Sequence, residues 1–244
     1  MIQTLKSSSY YRNRYLEENG GNLLFLNALM NTIKSTLNSK VLDIGCGTGT
    51  LGQYLSFRAE IIGTEKSRMR SKIANQKIQC LYCAGETIPS RIGTFDLIYC
   101  KEVLPSINNK LIFFKTIRKR LRAEGIFCTY IPDMNDIIEK PLYRFLPYDI
   151  DSSIKRYGSV ESNVKLLKDA GFGNVRTMRI PLGSVWLNQN YAYKHHDGFF
   201  SNVNKKYIQE RIVGLNKMIK MINVLMDYGI SVHYDFERTL LIAQ

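Results

Sequence analysis

Nine consecutive residues, Val41-Leu42-Asp43-Ile44-Gly45-Cys46-Gly47-Thr48-Gly49, constrain what this chain can fold into more than any other stretch. Val41, Leu42 and Ile44 form a short apolar run of the kind a sheet buries on both faces. The alternate glycines that follow permit backbone angles and close approaches that a Cβ would forbid. Leu51-Gly52-Gln53-Tyr54-Leu55 then reads as the start of a helix, whose first N–H groups lack intrahelical partners and face whatever lies at the loop. Strand, glycine loop and helix in this order predict a nucleotide-like ligand seated directly on the backbone.

The rest of the chain repeats the alternation. Glu60-Ile61-Ile62-Gly63-Thr64-Glu65 reads as a second strand, and Glu65 stands 22 residues after Asp43. That is where a nucleotide-binding βαβ unit places an acid for ribose hydroxyls, a solvent-facing glutamate being the alternative. The basic segment Lys66, Arg68, Arg70, Lys72 and Lys77 reads as a solvated helix. A third strand, 79–84, leads to Gly85-Glu86-Thr87, and a fourth, 94–100, leads to Lys101-Glu102-Val103-Leu104-Pro105-Ser106. A helix over about 109–122 ends at Ala123-Glu124-Gly125 and delivers a fifth strand, 126–131. A capped helix over 159–172, a sixth strand over 174–180, a long amphipathic helix over about 205–228 and a last strand over 234–243 complete the series. This pattern predicts an α/β fold with a doubly wound, mostly parallel seven-stranded sheet and a ligand crevice at the strand ends. Residues 43–49, Glu65, Gly85-Glu86 and 100–102 converge there.

Other segments supply candidates for covering the crevice. Apolar residues Leu26, Leu29, Met30, Ile33 and Leu37 mark an N-terminal helix, preceded by a polar arm whose Tyr11 and Tyr15 either close over a ligand or pack on the surface. Residues 132–158, with Pro132, Pro141 and Pro147, and about 184–230 read as a helical and irregular lid on a single domain spanning 1–244. His195 and His196, beside Asp197, are the candidate general bases because histidine titrates near neutral pH, an exposed polar pair being the alternative. His233 reads as structural. Glu102 either positions a ligand or serves as an ordinary acid at a helix N-terminus.

The formal net charge of +13 permits an acidic partner such as RNA or an acidic carrier protein, and equally permits a solvated basic surface. The five cysteines lie in or beside strand-like runs, and the Cys80-Leu81-Tyr82-Cys83 pair points to opposite faces of a strand, so core packing is expected and a metal site is not. The apolar runs are too short to cross a membrane, and a cytoplasmic chain is expected.

With these pieces placed, residues from about 38 to 180 and the final strand resemble the class I S-adenosylmethionine-dependent methyltransferases of the Rossmann-like superfamily. The resemblance rests on Val41 to Gly49, on Phe95-Asp96-Leu97-Ile98 with Val103-Leu104, and on Ala170-Gly171-Phe172 followed by Val175. It implies S-adenosyl-L-methionine as cofactor and S-adenosyl-L-homocysteine as product. Asp43, Gly45, Cys46 and Gly47 would surround the methionine portion, and Glu65, with Lys66 beside it, would take the ribose. Gly85, Glu86 and Thr87 would read the adenine, and Cys100 and Lys101 would lie along the methionine portion. The chain departs from many relatives in carrying Pro105-Ser106 where they have a histidine, which removes a familiar acid/base assignment. It also lacks the Asn/Asp-Pro-Pro-Tyr signature of adenine and glutamine N-methylation. The expected function is methyl transfer to O or N of a small, partly apolar or aromatic acceptor. Two alternatives stand beside it: action on tRNA or an acidic carrier protein, and a cofactor-binding regulator without transfer activity.

Overall fold

The computed structural model describes residue 25 and residues 28–30, 39–132, 155–187, 208–230 and 232–244. They fall in two compact units. One comprises Leu24–Asp133, Arg156–Ile180 and Arg238–Gln244; the described part of the other comprises residue 155 and residues 181–187, 208–230 and 232–237. The arm with Tyr11 and Tyr15, most of the helix expected over 23–37, most of 132–158, and His195-His196-Asp197 lie outside the described residues.

Five strands build the centre of the first unit: β1 (Ser39–Ile44), β2 (Ala59–Glu65), β3 (Gln79–Tyr82), β4 (Phe95–Lys101) and β5 (Leu121–Ile131). They alternate with α1 (Thr50–Leu55), α2 (Arg68–Ala74) and α3 (Lys110–Arg120). After α4 (Val160–Asp169) come β6 (Val175–Leu187), α5 (Ile208–Asp227) and β7 (Val232–Ala243). The seven-stranded sheet has the order β3-β2-β1-β4-β5-β7-β6. Pairing is parallel from β3 through β5, and β7 runs antiparallel to β5. The chain moves outward from β1 through β2 to β3 and then crosses back to β4. The order therefore reverses between β1 and β4, where such sheets open a crevice at their strand ends.

Burial explains why the central strands are apolar throughout. Val41, Leu42, Ile44, Leu97, Ile98 and Phe127 are almost wholly sealed from solvent, as expected where helices cover both faces. Phe113 and Phe114 of α3 pack with Phe127 and Phe172 in one core. Each buried phenylalanine there stabilises the fold by roughly 1.5–3 kcal/mol. Helix starts follow local chemistry: Ser67, Asn109 and Ser159 each cap a helix by accepting a backbone N–H. Gly171, at φ 95°, ends α4 and turns Phe172 into the core. In the second unit, Leu215, Met218 and Ile222 bury one stripe of α5 at helical spacing. No helix among the described residues is long and apolar enough to cross a membrane.

The largest departures from the sequence-based boundaries are at β5 and β6. Helix α3 stops at Arg120, and β5 starts at Leu121, five residues early. Leu121 pairs with Phe95, but the next paired couple is Leu97 with Ile126, so the intervening residues bulge out of the ladder. Strand β6 runs on to Leu187 through Pro181, into the segment assigned to a lid. It is the outermost strand beside β7, and an edge strand tolerates a residue that cannot donate to the ladder.

Candidate functional site

The crevice begins where β1 stops. Asp43 is 3% exposed, and its Oδ2 has no hydrogen-bond partner among the described residues. Burial pushes its carboxyl up from 3.8 to about 7; the nearby Tyr99 hydroxyl and the charge of Lys101 pull the other way, while Cys80 and Glu65 push with the burial. A buried carboxylate oxygen with no donor is costly, and a cation delivered with a ligand would relieve that cost.

The loop after Asp43 needs its glycines for two separate reasons. Gly45 has φ 70°, and a Cβ there would collide with Val103 Cγ2, so the loop and the turn after β4 touch backbone to side chain. On β2, Gly63 leaves room for Cys46, whose Sγ would stand 2.7 Å from a Cβ at that position. Cys46 Sγ meets Cys80 Sγ at 3.5 Å, and both thiols are reduced and buried. Among the described residues no cluster of three or more His, Cys, Asp or Glu could hold a metal.

Glu65 closes β2 and is also nearly sealed, at 3% exposure. Its Oε2 accepts from Gly47 N at 3.1 Å, and its Oε1 accepts from Ser67 N at 2.7 Å and Arg70 Nη2 at 2.9 Å. Three donors leave room on a carboxylate that offers about four acceptor positions, so a diol can still be engaged. Lys66, next in the chain, is exposed. Gly85, Glu86 and Thr87 form a single 3-10 turn after β3, and Glu86 Oε1 accepts from Asn108 N at 3.4 Å. The Cys100 side chain turns away from the crevice to donate to Thr129 Oγ1 at 3.2 Å, and burial pushes its thiol up to about 12. It can offer a ligand only its backbone. Lys101 lies over the Tyr130 ring, 5.9 Å from its centre.

Every described residue named as a site candidate therefore lies at or just beyond the end of a parallel strand. Sequence reasoning missed Arg70, Tyr99, Tyr157 and Arg238. Arg70 belonged to a run read as solvated, yet its position five residues after Glu65, in the first turn of the next helix, was the available signal. Tyr99 carried none, since a tyrosine inside an apolar strand reads as core. Tyr157 donates its hydroxyl to Glu102 Oε2, and Arg238 reaches Glu102 Oε1 at 3.6 Å. Glu102 holds φ 57°, a conformation costing of order 1–3 kcal/mol for a residue with a side chain.

Residues 42–129 match the family described as methyltransferase domain. The chain is similar in structure to an Anabaena variabilis protein provisionally described as a methyltransferase from an antibiotic biosynthesis pathway. That match has 15% identity, covers 90% of this chain and 96% of the other, and gives a TM-score of 0.67. YcgJ of Bacillus subtilis matches with 14% identity over 89% of this chain and 96% of its own, TM-score 0.64. The plantazolicin methyltransferase BpumL, solved with S-adenosylhomocysteine, matches with 15% identity over 98% of this chain and 89% of its own, TM-score 0.57. At such identities the likeness concerns the fold. No curated protein matches the chain.

Proposed function

We propose that the chain moves a methyl group from S-adenosylmethionine to an oxygen or nitrogen of a small, partly apolar or aromatic acceptor, a reading supported by the match of residues 42–129 to the methyltransferase domain family and by the fold shared with solved methyltransferases. The observation that carries the cofactor reading is the buried Asp43 carboxylate, with its unpartnered oxygen beside a glycine loop and one strand away from the anchored Glu65. Asp43 answers the ammonium group of an amino-acid cofactor, and Glu65 answers a ribose diol. Gly45, Cys46 and Gly47 bring backbone groups alongside the methionine portion, joined by those of Cys100 and Lys101 across the strand reversal. Glu86, in the turn after β3, accepts from an exocyclic amine.

The bound sulfonium supplies an activated methyl group, and the task left to the protein is to hold a nucleophile in line with it and keep water out. For the acceptor, the reading rests on the aromatic residues at 186–207, which include Trp186, Tyr191, Tyr193, Phe199 and Phe200, together with the proline- and aromatic-containing segment 132–158. His195 and His196 stay as proposed bases in that segment.

A basic partner surface for RNA or an acidic carrier is the second reading, and the net charge of +13 is its support. Some of the arginines behind it also make contacts within the fold. Arg118 donates to the Gly171 carbonyl, Arg120 to the Ser90 carbonyl, and Arg122 pairs with Asp96. The deciding experiment incubates the protein with radiolabelled S-adenosylmethionine and a fractionated native extract. Label in the small-molecule fraction is the expected result. Label in tRNA or protein, with steep loss of transfer as salt rises, would replace this acceptor class by the second reading.

A further inference from the structure

Glu102 is the only non-glycine residue among those described with a left-handed backbone. It follows Lys101 at the end of β4, and its neighbour Val103 fills the space where a Cβ on Gly45 would stand. The strained turn therefore lies against the glycine loop. An acid serving only a helix N-terminus does not explain it, because Leu104–Ser106 is one 3-10 turn with no dipole of consequence. Two other chain segments reach in to hold the carboxylate. Tyr157, just before α4, donates its hydroxyl to Oε2, and Arg238 of β7 takes Oε1. Tyr157 is itself anchored, since its carbonyl accepts from Lys110 Nζ at 2.6 Å and from Asn163 Nδ2 at 2.9 Å. Strain of this kind persists where surrounding structure enforces it, and it concentrates at functional sites.

We propose that Tyr157 and Glu102 together receive the proton of the acceptor's nucleophilic atom, which makes the acceptor one that carries a proton at neutral pH and loses it at about pH 10: a phenol hydroxyl. This rests on the methyl-transfer reading above and, for a hydroxyl acceptor, takes over the base role proposed there for His195 and His196. A lone pair of the acceptor oxygen forms the new O–CH3 bond as the S–CH3 bond breaks, and that bond's electron pair stays on sulfur, converting sulfonium to thioether. The hydroxyl proton passes to the Tyr157 oxygen while the proton of Tyr157 moves to Glu102 Oε2, from which it returns to solvent. Charge and atoms balance without a further reactant. Arg238 is a positioning residue that fixes the carboxylate through its other oxygen. Among the described residues, charged groups next to the pair include Lys101 at the end of β4, Lys110 at the Tyr157 carbonyl and Arg156 beside Tyr157.

The test compares wild type, Tyr157→Phe, Glu102→Gln and Glu102→Asp. Each is given radiolabelled S-adenosylmethionine and the small-molecule fraction of a native extract from pH 6 to pH 10, and its S-adenosylhomocysteine affinity is read by calorimetry. Tyr157→Phe and Glu102→Gln should transfer label about 100-fold more slowly at pH 7, in the range of general-base effects, with Glu102→Asp recovering at least about a tenth of the rate. The deficit should shrink to less than about tenfold near pH 10, where a phenol ionises unaided. S-adenosylhomocysteine affinity should stay within about threefold, because the pair acts on the acceptor. A deficit equal at every pH, or a loss of S-adenosylhomocysteine affinity beyond about tenfold in Tyr157→Phe, would make the cluster a brace for the glycine loop and overturn the proposal. Failure of the methyl-transfer reading looks different: wild type itself would bind no S-adenosylhomocysteine.

Discussion

Asp43 and Glu65 stand on neighbouring parallel strands, both 3% exposed, and the chain treats them in opposite ways. Glu65 is tied down by Gly47 N, Ser67 N and Arg70, so the fold itself already stabilises it. Asp43 is left with an unpartnered oxygen and a carboxyl pushed up to about 7 by burial. The difference separates two ways of preparing a ligand site. One acid is preorganised at no cost to the fold, and the other is held at a cost that a cationic ligand group removes.

Asp43→Asn should split the two most sharply. Its folded carboxyl titrates near 7 against an ordinary 3.8, so the folded chain holds the proton more tightly over that interval. The penalty is absent below pH 3.8, grows as pH rises towards 7 and is complete above it, at about 4 kcal/mol. Removing the charge should therefore raise the stability of the ligand-free protein at pH 8 by up to about 4 kcal/mol and leave it little changed near pH 4, as read by denaturant unfolding. Cofactor affinity should fall at least about tenfold in the same variant.

Gly45→Ala tests whether the loop between the two acids is as constrained as its contacts imply. A Cβ at φ 70°, driven into Val103, should destabilise by about 1–3 kcal/mol and weaken cofactor binding together with stability. Glu65→Gln should lower ligand-free stability by about 1–3 kcal/mol, opposite in sign to the effect at Asp43, because it abandons charge-assisted bonds to Gly47, Ser67 and Arg70. Arg70→Met, which removes one partly exposed donor, should cost about 1 kcal/mol or less by thermal unfolding. Equal and like-signed effects at the two acids would erase the distinction.

The same contrast shows what the sequence discloses and what it hides. The glycine loop, the order of strands and helices, and the acid at the end of β2 were all legible, because periodicity and backbone freedom are local properties of the chain. The spacing that singled out Glu65 is fixed by the length of one βα unit. The network around Glu65 was hidden in a basic run, where only the turn of α2 decides that Arg70 points inward while Lys66 stays exposed. Glu102 stood at a legible strand end, but nothing local announces its left-handed backbone. Tyr157 and Arg238 come from segments 55 residues after it and, further on, from the last strand, so only the folded sheet brings them together. The early start of β5 was obscured because Arg122, Ala123 and Glu124 suit a helix end as well as a bulge, and pairing with Phe95 chose the bulge.

Asp43 holds one buried oxygen without a donor, ready to ionise and receive the cation of the cofactor. Calorimetric titration of S-adenosylmethionine into wild type and Asp43→Asn at pH 6 and pH 8 tests it most directly. With a carboxyl titrating near 7, wild-type affinity should rise by about tenfold between those two pH values, and Asp43→Asn should bind weakly with no such rise. Wild-type affinity retained in Asp43→Asn at both pH values would contradict the claim.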